Sequence, residues 1–206
     1  MIDPRTIADD PRGGGLAPGP AGHRDWAAMT TSPRVLYHVV CAALPALAAA
    51  DFAAEARQDG WDVCVVTTPR AAAWLDLPAL AAVTGHPVRT DYKLPGQPDV
   101  LPPPAAFAVV PATFNTINKW AAGIADTLVL GLLTEALGLG LPVVAAPCLA
   151  EAQAAHPAFA ASCRTLRGAG VRLLDRWTAR DPGLAGGGWE AADTHRVLTE
   201  LRRAAN

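Results

Sequence analysis

From Pro33 onward the chain alternates between two apolar patterns. Short runs rich in Val, Ala and Leu recur at residues 35–40, 61–67, 106–110, 141–146 and 171–174, and most are apolar at successive positions rather than at every second one. Longer stretches between them carry apolar residues at helical spacing: 44–59, 69–75, 78–84, 115–124, 126–139, 150–169 and 190–205. Gly60, Gly85 and Gly170 stand where three of these stretches should stop, and Pro69 stands where a first-turn proline is tolerated. Strands that are apolar on both faces belong to a sheet covered on both sides. The pattern predicts an α/β fold: a doubly wound, mostly parallel sheet of five or six strands in three layers, Rossmann-like or flavodoxin-like. Such folds bind ligands at the carboxyl ends of the strands, so the loops after Val40, Thr67, Val110 and Ala146 are where chemistry is expected.

Three segments break the alternation. Residues 1–32 contain Gly13-Gly14-Gly15 and four prolines without a sustained period, and are expected to form a disordered or loosely docked arm ahead of a domain spanning 33–206. A start at Met29 would leave that domain whole. Residues 86–98 are polar and proline-rich and predict a long loop, with a short strand considered at 88–90. Residues 181–188 read as a turn region before the last helix.

Composition narrows the function classes. Hydrophobic residues make up 51% of the 206 positions against 17% charged, which is ample for one large core. The longest apolar stretch, 129–147, is interrupted by Thr134, Glu135 and Pro142, so it predicts a buried helix and strand rather than a membrane span. A net charge of −2 gives no electrostatic ground for binding nucleic acid or an acidic membrane. Cys41, Cys64, Cys148 and Cys163 form no C-x-x-C pair. No metal site is expected, and reduced buried thiols in a cytoplasmic setting are. The polar, Pro- and Gly-rich beginning of the chain lacks the pattern of a secretory signal.

The loop after Val110 carries the densest polar chemistry: Pro111-Ala112-Thr113-Phe114-Asn115-Thr116. Three polar side chains stand at the mouth of a predicted helix, where free backbone N–H groups suit a phosphate or an electron-rich ring edge. Thr113 or Asn115 acting only as a helix cap is the other reading of the same residues.

The wording of this segment is more specific than its composition. PATFNTINKWAAGIAD resembles the PASANT-type motif of the flavin-containing cysteine decarboxylase family, which includes phosphopantothenoylcysteine decarboxylase and the lantibiotic peptidyl-cysteine decarboxylases. Pro111, Ala112, Thr113, Asn115, Thr116, Ile117, Lys119, Gly123, Ile124, Ala125 and Asp126 all fit it, and the likeness extends over roughly residues 34–175. It implies an FMN-binding flavoprotein acting as a decarboxylase or oxidoreductase on a cysteine-like or peptide substrate. It also implies assembly as a homo-oligomer, a trimer or a dodecamer. Carried over residue by residue, it makes Asn115 the catalytic-type residue. It places Cys41, Ala42, Thr68, Ala112, Thr113, Phe114, Asn115 and Thr116 around the cofactor.

The chain also departs from the family. Cys41-Ala42-Ala43 replaces a Gly-Ser-type turn after the first strand. In the clamp that follows Pro147, Leu149 replaces a Met and Ala150 the asparagine that grips the substrate carboxylate. Gln153 replaces the second Met and Ala154 the Trp. No histidine stands in residues 97–104, where the family keeps its active-site His. His86 lies further upstream and would have to swing in, His38 reads as a core residue, and His156 reads as the start of a helix turn. Lys93, on the long loop, is a candidate partner for a substrate carboxylate. A non-catalytic flavin-binding or regulatory homologue is therefore the alternative to an active decarboxylase.

Overall fold

A computed structural model describes residues 34–174 and 191–204, which fall within one unit spanning Pro33–Asn206. The expected arm 1–32 and the turn region 181–188 lie outside the described residues. Five strands form one sheet: β1 (Arg34–Val40), β2 (Trp61–Thr67), β3 (Ala106–Ala112), β4 (Val143–Pro147) and β5 (Arg172–Leu173). Every pairing is parallel and the spatial order is β2-β1-β3-β4-β5. The doubly wound α/β expectation therefore holds. The short strand considered at 88–90 reduces to a single parallel bridge between Arg89 and Val66.

Alternate residues of each strand go to opposite layers. Tyr37, Val39, Val66, Phe107, Val109 and Ala145 pack toward α4 (Phe114–Ala121), α5 (Leu128–Gly138) and α7 (Pro157–Gly168), through Ile117, Trp120, Leu133, Phe159 and Leu166. Leu36, Val40, Val63, Val65, Ala108 and Val144 pack toward α1 (Ala49–Gln58), α3 (Leu77–Thr84) and α8 (Ala191–Ala204), through Phe52, Leu80, Val197 and Leu201. Two separate apolar clusters, one on each face, make the three layers.

Two predicted helices are divided, and each division has a local cause. Residues 44–59 begin as a 3-10 helix, Leu44–Ala48, before α1 starts. Ala43 has no side chain with which to cap, so the orphan amides of the first turn lack the partner a hydroxyl would supply. Residues 150–169 split into α6 (Glu151–Ala154) and α7 because Pro157 has no N–H and its ring excludes a continuous helix. His156 caps the second piece, its Nδ1 accepting from the Ala158 N–H at 3.1 Å. The predicted helix 69–75 shortens to α2 (Pro69–Ala72).

The chain leaves β1 toward β2 on one side and leaves β3 toward β4 on the other. A crevice opens where neighbouring strands diverge in this way, at the carboxyl ends of β1 and β3.

Candidate functional site

Four backbone turns converge on that crevice. Each leaves the carboxyl end of a strand: Ala42–Leu44 after β1, Thr68–Arg70 after β2, Thr113–Thr116 after β3, and Cys148–Ala150 after β4. Thr127, Leu130 and Lys119 supply the wall on the α4–α5 side. The half-open cleft measures about 650 Å³, within the range typical of small-molecule and cofactor sites.

The floor is tied together across the strands. The Cys41 N–H donates to the Pro111 carbonyl at 3.2 Å, Thr68 N–H to Val40 at 3.0 Å, and Cys148 N–H to Ala112 at 2.8 Å. These bonds hold the four turns in one frame. The ladder between β3 and β4 is irregular from Val109 to Ala112, and the Val110–Pro111 peptide is cis.

At the mouth of α4 the Thr113 hydroxyl accepts the Thr116 N–H at 3.4 Å, which makes Thr113 the N-cap. The same two hydroxyls lie 3.0 Å apart, and Thr116 Oγ1 donates to Cys41 Sγ at 3.3 Å. One proton arrangement satisfies all three contacts: Thr113 donates to Thr116, and Thr116 donates to the thiol. The backbone amides of Phe114 and Asn115, in the first turn, have no acceptor within the helix. A helix of eight residues thus opens onto the cavity with free N–H groups and a partial positive charge.

Of the residues singled out in the sequence, Ala42, Thr68, Thr113, Phe114, Asn115 and Thr116 line the cavity. Cys41 and Ala112 do not: both are fully buried behind its wall. Cys41 supports the site from beneath, as the acceptor for Thr116, and burial pushes its thiol pKa up. Thr68 lines the cavity and also caps α2, accepting the Ala71 N–H at 3.2 Å. Asn115 is exposed, and its side chain has no hydrogen-bond partner among the described residues. The Phe114 ring is oriented by His156, edge-on at 5.9 Å between centroids, and by Phe159, stacked at 6.3 Å.

The histidines are otherwise occupied. His86 Nε2 lies 2.7 Å from the Asp62 carboxylate, near the amino end of β2. The cavity is at the other end of that strand, five residues on, roughly 15 Å away. His38 is fully buried, with Nε2 2.9 Å from the Val110 carbonyl and its ring 4.2 Å from that of Phe52. Lys93 does not reach the cavity either, since it pairs with Asp99 at 2.7 Å along the loop.

Two cations that the residue-by-residue reading left out of the site line it. Arg70 is exposed and has no carboxylate partner among the described residues. Lys119 pairs with Asp126 at 2.6 Å. Thr127 and Leu130 were also missed, although a threonine just ahead of an apolar helical run is a readable cap signal. Thr127 Oγ1 indeed accepts the Leu130 N–H at 3.3 Å. Cys148 brings a thiol to the wall, its pKa pushed up to about 11 by burial. Ala150 occupies the clamp position without a polar side chain, and Gln153 Oε1 accepts its N–H at 3.3 Å.

Comparison with known proteins gives a consistent picture. The model of the family described as Flavoprotein matches residues 29–193. A curated relative, a cysteine/cysteine sulfinic acid decarboxylase from an unknown prokaryotic organism, is 34% identical over 96 residues. That match covers 46% of this chain and 26% of the relative, so the chain spans about a quarter of the length of the curated relative it matches. Among solved structures, the FMN-dependent cysteine decarboxylase SpaF is 27% identical with a TM-score of 0.64, covering 84% of this chain and 97% of that one. The FMN-dependent cysteine decarboxylase TvaF, from thioviridamide biosynthesis, shares the fold with a TM-score of 0.68 at 22% identity, over 84% of this chain and 99% of that one. The FMN binding protein AtHal3 does so with a TM-score of 0.64 at 17% identity, over 84% and 96%.

Proposed function

Because the chain belongs to the Flavoprotein family, we propose that it binds FMN in the cavity at the carboxyl ends of β1–β4 and acts on a cysteine-like or peptide substrate as a decarboxylase or oxidoreductase. The observation that carries the reading is the convergence of the α4 N-terminus, with its Thr113–Thr116–Cys41 chain, on a cavity of cofactor size.

The residues present fit the group. A phosphate is met by the free amides at the start of α4 and by the guanidinium of Arg70, which has no carboxylate partner among the described residues. Thr68, Thr113 and Asn115 offer hydroxyl and amide partners to polyol oxygens and ring edges. Phe114, Leu130 and Leu149 give apolar surface for a flat aromatic ring system. FMN, when bound, supplies an acceptor for the electrons that substrate oxidation releases. Asn115 orients the reacting partner through an amide that is free to turn toward it. With Arg70 at the phosphate, Lys119 is the rim cation left to a substrate carboxylate, in exchange for Asp126, since Ala150 has no side-chain donor.

The second reading is a flavin-binding protein without decarboxylase activity. One observation favours it: no histidine lines the cavity among the described residues. Both readings predict a yellow protein that takes up FMN. They part on turnover, measured as carbon dioxide release under anaerobic conditions from cysteine-ended peptides and from phosphopantothenoylcysteine. Release from either supports the enzyme. Asn115→Asp should then lower kcat by at least about tenfold, of order 1.4 kcal/mol in the barrier, while FMN is retained. A chain that stays colourless with excess FMN would sink both readings.

We also infer a homo-oligomer, a trimer or a multiple of it. Leu44 at the cavity rim, Leu47 and Trp74 expose 48%, 64% and 45% of their surfaces, apolar area that a second copy would cover. Light scattering on the purified chain reads the mass. All four cysteines are free and buried, which accords with a reducing compartment such as the cytoplasm.

A further inference from the structure

The loop from Thr90 to Leu101 carries no regular structure; Leu101 packs against the core at its far end, and a tyrosine anchors its beginning. Tyr92 reaches across to α5, where its hydroxyl donates to the Thr127 carbonyl at 3.1 Å. That carbonyl also accepts the Gly131 N–H at 2.9 Å, so Tyr92 joins the first turn of the helix. Gly131 makes the approach possible: a Cβ at position 131 would overlap the Tyr92 hydroxyl. Glycine within a helix costs stability, since only proline is a poorer helix former. Here the missing Cβ leaves a notch that the tyrosine tip occupies.

The same turn of α5 is a wall of the cavity described above. Thr127 and Leu130 face it, while Leu128 and Leu132 face a second, smaller cavity of about 250 Å³ beneath the loop. The loop is also closed upon itself. Lys93 pairs with Asp99, and Gln97 Oε1 accepts the Leu94 N–H at 2.9 Å. The loop is thus closed upon itself and seated on the body of the domain at Tyr92 and at Leu101, and the Tyr92 contact bears on the cavity wall.

We propose that Tyr92, seated in the Gly131 notch, is a positioning residue for the flavin site. It fixes the first turn of α5 and, through Thr127 and Leu130, the shape of the cavity. This role rests on the flavin reading given above.

The test is a double-mutant cycle on the full chain with two readouts. The first is the rate of tryptic cleavage at Lys93–Leu94, located by mass spectrometry. The second is FMN affinity, read from quenching of flavin fluorescence. Gly131→Ala and Tyr92→Ala should each speed cleavage several-fold and weaken FMN binding by about tenfold, of the order a well-placed contact commands. The double variant should be no worse than either, because one change fills the notch and the other removes its occupant, so both undo the same contact. Tyr92→Phe keeps the ring but loses the hydroxyl that fills the notch and bonds Thr127, and should recover only part of the protease resistance.

Gly131→Ala provides an internal sign check. If the notch holds nothing of consequence, this change stabilises α5 and leaves cleavage and FMN affinity as they were, and the proposal falls. It falls equally if the two single effects add in the double variant. Failure of the unmutated chain to bind FMN overturns the flavin reading and, with it, this role for Tyr92. Changed FMN affinity without changed cleavage would instead assign the effect to the helix and remove Tyr92 from it.

Discussion

His38 shows how a chemically suggestive residue is committed to the fold. It lies on β1, four residues before the first turn of the site, and faces Phe52 rather than the cavity. Burial lowers its pKa from 6.5 to about 4, although the Val110 carbonyl opposes the shift. Above pH 6.5 the ring is neutral in folded and unfolded chains alike, and its contribution to stability is fully present. Between 6.5 and 4 the unfolded chain takes up a proton that the native state refuses, so stability declines, by up to about 3 kcal/mol. Urea midpoints at pH 7 and pH 4.5 should show that decline in the natural chain and a flatter one in His38→Leu. Equal slopes would remove His38 as the cause. At this scale the sequence carried much of the information. The motif around Asn115 picked out Thr113, Phe114, Asn115 and Thr116, all four of which line the cavity, and His38 was readable as core from its apolar neighbours. What could not be read was any fact that depended on a partner distant in the chain. Asp62 is 24 positions from His86, and nothing local signals that the two meet. Arg70 becomes a rim cation only once the crossovers bring β2 and β3 to either side of β1.

Helix boundaries tell a similar story one level up. Periodicity located every helix between β1 and β5, but it ran straight across the breaks at Ala48 and at His156. The breaks are set by cap chemistry and by Pro157, which a count of apolar positions does not weigh. α4 is the element on which the site depends most. Thr113 caps its start, and Asn118 ties it to α7 by accepting from the Ser162 hydroxyl at 2.7 Å while donating to Phe114 O at 2.9 Å. Thr113→Ala should cost about 1 kcal/mol through the lost cap, seen as a fall of roughly 2–4 °C in Tm for a domain of this size. Thr113→Ser should restore most of it. A Tm unchanged by the alanine would mean that α4 is held by its contacts with α7 rather than by its cap.

The three-layer architecture was the most legible property of the molecule, because apolar strands separated by amphipathic helices leave few other arrangements. The last helix was legible too, since the helical spacing read at 190–205 appears as α8; which face of the sheet it covers was not. It closes one face by burying Val197, Leu198 and Leu201 in the cluster around Phe52 and Val144. Arg202–Asp59 at 3.0 Å and Arg172–Glu200 at 2.9 Å frame its edges. Those ion pairs are partly exposed and weigh little beside the apolar contact. Leu201→Ala should therefore destabilise by about 2–5 kcal/mol, as a shift of the urea midpoint, whereas Glu200→Gln should move it by less than about 1 kcal/mol. A small effect at Leu201 would show that this face stays closed without α8.

The bond from the Cys41 amide to the Pro111 carbonyl has a consequence in time. About 70 residues of chain separate its ends, and joining them is a slow, entropically costly closure. The turns around the cavity come into register only after β1 and β3 have paired, when most of the sheet already exists. A cofactor arriving during folding finds nothing to grip until the barrier is essentially crossed. Its stabilisation should then appear almost wholly as slower unfolding of the loaded protein, with the refolding rate untouched.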